Sequence, residues 1–210
     1  MKTYELAARL GDSTYIFLAI NGFFGVYCVI MAWRRIRQLR FRSDEAETTF
    51  ITEFQDLMKA GDLEGAVKLC DYDYRALPRL CLLMLANHDQ TYRQIRQLAA
   101  DSLQRHIIGD LEHRLSWIAT VIKSGPLLGL FGTVLGMMAA FSRIGEGDKI
   151  QPSQIAEEIS IALICTALGL VTAIPLGYIL SSLTIKVRSL QESLGGGLVR
   201  VLEPFRAGDA

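Results

Sequence analysis

Charge is missing from three long stretches of this 210-residue chain: Thr14–Trp33, Gly125–Ser142 and Ile159–Ile185 hold no Asp, Glu, Lys or Arg. A helix crossing the hydrocarbon core of a bilayer needs about 20 such residues. Apolar character concentrated in this way excludes an evenly mixed soluble domain and predicts three spans. Other scarcities narrow the chemistry. There are four cysteines (Cys28, Cys70, Cys81 and Cys165) and no CxxC pair, which supports neither a zinc site nor a disulfide framework. They read as reduced, structural thiols. His106 and His113, seven apart, have no carboxylate or thiol support and make a poor metal site. No GK[ST] follows the glycine-rich run Gly125–Gly136, so it is no phosphate loop, and no nucleophile–base pair of hydrolase type occurs. The expectation is therefore neither an enzyme nor a cofactor-binding protein, with no metal. Net charge is zero, and the one arginine cluster directly follows a span, which argues for the bilayer and against nucleic acid as its neighbour.

The flanks of the charge-free runs suggest an orientation. The first run is too long for a signal peptide, is preceded by a nearly charge-balanced segment (Lys2, Glu5, Arg9, Asp12) and is followed by Arg34, Arg35 and Arg37. It reads as an uncleaved span with a stop-transfer flank. Residues 34–42 hold five arginines, and Lys186 and Arg188 follow the last run, whereas residues 143–158 hold two basic and four acidic residues. The positive-inside rule then predicts a periplasmic N-terminus over 1–13, spans over 14–33, 115–142 and 159–185, and a periplasmic loop over 143–158. Residues 34–114 and 186–210 would be cytoplasmic.

The stretch 34–114 carries 13 basic and 13 acidic residues and has helical periodicity. Phe50, Phe54, Leu57 and Met58 share a face. Gly61-Asp62 supplies a break and a cap before Leu63–Cys70, and Pro78 sits where a segment Arg79–Ala86 would begin. From Tyr92 a run through Ile95, Leu98, Leu103, Ile107 and Leu111 predicts one long helix continuing into the second span, with Lys123 snorkelling toward headgroups. The third span is expected to extend through Leu194 and to break at Gly195-Gly196-Gly197. The fold class is thus all-α and integral to the membrane, with long cytoplasmic helices.

Small residues mark the second and third runs. Gly125, Gly129, Gly132 and Gly136 lie 4, 3 and 4 apart, on one helical stripe. Ala162, Thr166, Gly169, Ala173 and Gly177 follow similar spacing. Such stripes let helix backbones approach closely in a membrane. Pro175 removes one backbone hydrogen bond and predicts a kink. Thr133 and Thr166 are the polar groups of interest. Each hydroxyl either bonds a carbonyl one turn back in its own helix or lines a polar seam for an ion or a partner's carboxyl. Neither can carry a proton alone, and no span holds a carboxylate, so a titrating group would come from another subunit.

The segment GPLLGLFGTVLGMMAAF, followed by ISIALICTALGLVTAIP, resembles the signature of the MotA/TolQ/ExbB family, in its ExbB/TolQ branch, over residues 115–188. The resemblance implies an ion-driven, proton-conducting motor subunit of the bacterial inner membrane, of the biopolymer-transport type. It also implies a homopentamer around the membrane helices of a single-span ExbD/TolR-like partner, with a TonB/TolA-like protein in the same system. Thr133 and Thr166 match the family's two pore threonines, whose hydroxyls can donate to a charged aspartate or accept from a neutral one. One position departs: Ile161 stands where ExbB and TolQ members carry glutamate. Glu158, a turn earlier, either partly substitutes as an outer carboxylate or is a solvated end charge. A non-conducting scaffold, and a membrane anchor or sensor that binds a soluble partner through its cytoplasmic helices, are the alternatives.

Overall fold

The computed structural model describes residues 3–145 and 151–207, with side chains over 13–145 and 151–206. The side chains of residues 1–12 in the expected N-terminal segment, and Glu146, Asp148 and Lys149 of the expected loop, lie outside the described residues. Every regular element among the described residues is helical, as the charge-free runs predicted: α1 (Thr3–Leu39), α2 (Asp44–Ala60), α3 (Leu63–Cys70), α4 (Ala76–Leu85), α5 (Tyr92–Ser102), a π-helical segment (Leu103–Ile108), α6 (Gly109–Gly145) and α7 (Pro152–Ala207). Three continuous stretches are long and apolar enough to cross a membrane: Ser13–Leu39, Tyr92–Gly145 and Pro152–Arg206. Less than a third of each most apolar window is buried within the chain. These stretches point to a multi-pass membrane protein whose most apolar windows are largely unburied within the chain.

The chain forms two units. The first comprises Met1–Ile30 and Leu115–Ser182. Here glycines set the helix spacing. Gly25 lies so close to Val121 and Leu176 that an added Cβ would stand 2.7 and 2.8 Å from their side chains. Phe24 meets Trp117 edge to face at 6.0 Å. α6 and α7 each carry an internal proline, Pro126 and Pro175, and each helix runs on past it. α6 ends at Gly145 and α7 begins at Pro152, so Glu157 and Glu158 stand in helix rather than in a connecting segment.

The second unit, Met31–Arg114 and Leu183–Ala210, has a conventional core. Phe54, Leu77, Leu80, Met84, Ile108 and Leu190 are almost wholly buried; Phe50 stacks on Phe54 and meets Phe41 at a tilt. Gly61 ends α2 with φ of 74°, and the Asp62 carboxylate accepts from the Gly65 N–H at 2.8 Å to start α3. α4 begins at Ala76, three residues before the expected start, because Pro78 fits the first helical turn, where its missing N–H costs nothing. Asp110 joins two elements: one oxygen accepts from Arg35 at 3.0 Å and the other from Arg114 at 3.1 Å.

The expected break at Gly195-Gly196-Gly197 is corrected, since α7 continues through it to Ala207. The penalty of about 1 kcal/mol per helical glycine is outweighed by burial of Leu194, Leu198, Val201 and Leu202 on the same helix. Gly197 is also close-packed, with Leu77 and Glu47 atoms at 3.2 Å from where a Cβ would lie.

Candidate functional site

The α6–α7 pair of the first unit brings backbone against backbone. A Cβ on Gly129 would lie 2.7 Å from the Cys165 carbonyl oxygen and 2.8 Å from the Thr166 Cα. One on Gly169 would lie 2.6 Å from the Gly125 oxygen, and one on Gly136 the same distance from the Ala162 Cβ. Gly132 faces Cys165 and Thr14, each at 3.0 Å. The glycines of α6 thus match small residues of α7 position for position. Ala162 and Ala173 are buried. Gly177 belongs to the predicted stripe but meets nothing within 4 Å, so it takes no part in this contact.

This close approach brings the two threonines together. Thr133 is 6% exposed. Its hydroxyl lies 3.1 Å from the Gly129 carbonyl, 3.1 Å from the Ala162 carbonyl and 2.5 Å from the Thr166 hydroxyl. The reading of Thr133 as bonding back within its own helix is met by the Gly129 carbonyl, and the hydroxyl also reaches across to the neighbouring helix. Thr166 is half-buried and has its hydroxyl partner across the interface. A hydroxyl has one proton and two lone pairs, so Thr133 donates to one of its three neighbours at a time. Both carbonyls already accept a helical N–H, and neither is orphaned whichever way that proton turns.

The remaining candidate residues lie apart from the pair. Glu158 is ion-paired with Arg143 at the facing end of α6 and stands eight residues from Thr166, about 12 Å along the axis. Glu157 is exposed. Ile161 is 49% exposed, and its carbonyl accepts from the Tyr15 hydroxyl at 2.9 Å. Five residues before Thr166, it points about 140° around the helix from it. Pro175 is exposed nine residues beyond Thr166.

Sequence reasoning missed a second polar cluster. Ser124 donates to the Asn21 side-chain carbonyl at 2.8 Å, and the Asn21 amide donates to the Val121 carbonyl at 3.3 Å. An asparagine inside a charge-free run is the available signal, because a buried amide in hydrocarbon needs a partner. Thr14 is also buried beside Gly132, and Thr172 donates to the Gly169 carbonyl at 2.9 Å.

The family model of the MotA/TolQ/ExbB proton channel family matches residues 75–195, more than half of the chain and both helices of the threonine pair. The chain belongs to this family. Among curated relatives, the Tol-Pal system protein TolQ of Haemophilus influenzae is 38% identical over 88 residues, 42% of this chain and 39% of that protein. The biopolymer transport protein ExbB of Aquifex aeolicus is 34% identical over 129 residues, 60% of this chain and 87% of that protein. An ExbB homolog of Methanothermobacter thermautotrophicus is 30% identical over 187 residues, 87% of this chain and 63% of that protein. The chain therefore spans well under half of the TolQ relative and most of the Aquifex one. The ExbB/TolQ branch suggested by the glycine–threonine signature is thus the branch these relatives belong to.

Proposed function

We propose that this chain is a proton-conducting motor subunit of the bacterial inner membrane, of the biopolymer-transport type. Five copies enclose the membrane helices of a single-span ExbD/TolR-like partner, whose aspartate carries the proton, and a TonB/TolA-like protein takes up the work. The N-terminus is periplasmic, and residues 34–114 and 186–210 are cytoplasmic. Support comes from family membership, from relatives named ExbB and TolQ, and above all from the 2.5 Å hydroxyl pair held between two glycine-matched helices.

The pair suits a partner whose charge alternates. When Thr133 donates to a carbonyl, Thr166 donates to Thr133 and presents only lone pairs outward, which accept from a protonated carboxyl. When Thr133 donates to Thr166, the Thr166 proton is free to donate to a carboxylate. Turning two hydroxyls thus matches the wall to either charge state, without moving a helix and without a titrating group of its own. Ile161 adds no carboxylate, and Glu158 is held by Arg143, so in this reading the titrating carboxylate is the partner's alone.

Replacing both threonines by valine keeps shape and removes both hydroxyls. Hydrogen bonds to charged groups contribute about 1.5–3 kcal/mol, so proton flux through the co-purified complex in liposomes should fall on the order of tenfold or more. Assembly should persist, because the carbonyls keep their helical partners. Unchanged flux in the double variant overturns the assigned role. Absence of any proton flux from the unaltered complex favours the scaffold reading.

A further inference from the structure

A groove of about 710 Å³ in the second unit lies where two charge-free runs end. Trp33, the last residue of the first run, lines it, and so does Lys186, which directly follows the last run. The groove therefore sits at the level where both helices leave hydrocarbon. Arg37, Arg40, Arg42 and Arg75 supply the rest of its charge, and no carboxylate lines it. Arg40 shares its charge with Asp44 at 3.6 Å, and Arg75 with Asp73 at 3.6 Å while its guanidinium covers the Phe41 ring. Arg37 lies over Trp33 at 5.9 Å. Arg37, Arg42 and Lys186 have no acidic partner among the described residues.

Several cations converging on one concavity repel one another, and they are stable together where an anion is at hand. At headgroup depth the abundant anion is a phospholipid phosphate. Basic pockets between membrane helices take such headgroups, with each Lys or Arg near the surface contributing about a fivefold gain. A tryptophan at the rim suits the boundary between chains and headgroups. We propose that this groove binds the phosphate headgroup of an anionic phospholipid from the surrounding leaflet. The site is separate from the threonine pair and does not depend on proton conduction.

Trp33 and Trp117 are the chain's two tryptophans, so Trp117→Phe leaves Trp33 as the reporter. The full-length protein is placed in phosphatidylcholine nanodiscs, and brominated phosphatidylglycerol or brominated phosphatidylcholine is added as quencher. The expected result is half-maximal quenching at a phosphatidylglycerol fraction on the order of tenfold lower than for phosphatidylcholine. The triple substitution Arg37→Gln, Arg42→Gln, Lys186→Gln should bring the two lipids to parity. In the unsubstituted groove, salt near 1 M, where the Debye length is about 3 Å, should shrink the preference severalfold, an arm that needs no altered protein. Equal quenching by both lipids in the parent, or a preference that survives the triple substitution or high salt, overturns the proposal. Relief of phosphatidylglycerol quenching by soluble glycerophosphate at matched concentration assigns the groove to a free phosphate compound instead and overturns the lipid source. Loss of the preference only when a copurified protein is present assigns the groove to that protein and likewise overturns it.

Discussion

Gly129→Ala is the most incisive perturbation of the α6–α7 contact. The added carbon would stand 2.7 Å from a carbonyl oxygen and 2.8 Å from a Cα, both in the backbone of α7. Neither can swing aside as a side chain does, so the helices must separate by about 0.7 Å or more to reach ordinary van der Waals contact. That retreat acts on the threonine pair one turn away and draws its 2.5 Å hydrogen bond toward the limit for O–H···O contacts of about 3.0 Å. Overpacking of a close-packed interior costs about 1–3 kcal/mol, and part of the hydroxyl contact is lost besides. Gly177→Ala is the matched control: it lies on the same predicted stripe, with nothing within 4 Å of the new carbon. Thermal unfolding of both variants in one detergent, followed by loss of the monodisperse chromatographic peak, should show Gly129→Ala melting well below the parent and Gly177→Ala at or above it. Equal melting of the two variants would refute the argument that backbone approach at Gly129 organises this pair.

Asp110→Asn removes the shared acceptor of Arg35 and Arg114, both about one-third exposed; discounted for solvent, the loss should be about 1–2 kcal/mol, read as a lower melting temperature that added salt partly equalises with the parent. Gly195→Ala and Gly196→Ala replace glycines that meet nothing within 4 Å in an uninterrupted helix; each should raise stability by up to about 1 kcal/mol, and a fall in melting temperature would contradict helical continuity there. Burial, with a contribution from Cys70, pushes the Cys81 thiol well above its ordinary range. The folded protein then holds that proton longer than the unfolded chain, so stability is full below the unfolded thiol value of about 8.5 and declines as pH rises beyond it. Alkylation of Cys81 at pH 8 should accordingly be slow until denaturant is added, and prompt labelling of the native protein would contradict its burial.

The features legible in the sequence were those carried by local chemistry. Uncharged runs mark the spans, Gly61-Asp62 marks a helix end and a cap, and four-residue glycine spacing marks the face of α6 that meets α7. What escaped depends on tertiary packing. The glycine run at 195–197 has the composition of a break, yet the buried leucines on either side hold the helix through it. Gly177 fits the stripe's period and still lies open, because spacing says which residues share a face and not where the facing helix diverges. The π-helical segment at 103–108 has no composition of its own; its wider turn brings Leu103, Ile107 and Ile108 together into the core. Asn21 reads as one polar residue in an apolar run, and only the tertiary approach of α6 gives its side chain partners, the Ser124 hydroxyl and the Val121 carbonyl.

The two polar clusters of the first unit illustrate different solutions to the same constraint. Asn21 and Ser124 satisfy each other and a carbonyl, so removing either leaves a polar group in an apolar setting, at a cost of about 1–3 kcal/mol. The threonine pair is over-supplied: Thr133 has three acceptors within reach for one proton, two of them carbonyls already served by helical N–H groups. A group with surplus acceptors can change partner at little cost, whereas a group with just enough cannot. On this ground the first cluster fastens α1 to α6, and the second is the one that the proposed function assigns to answer a partner's change of charge. The distinction is testable by substitution. Asn21→Leu should lower the melting temperature, and Thr166→Val should leave it nearly unchanged while proton flux falls. The reverse pattern would exchange the two roles.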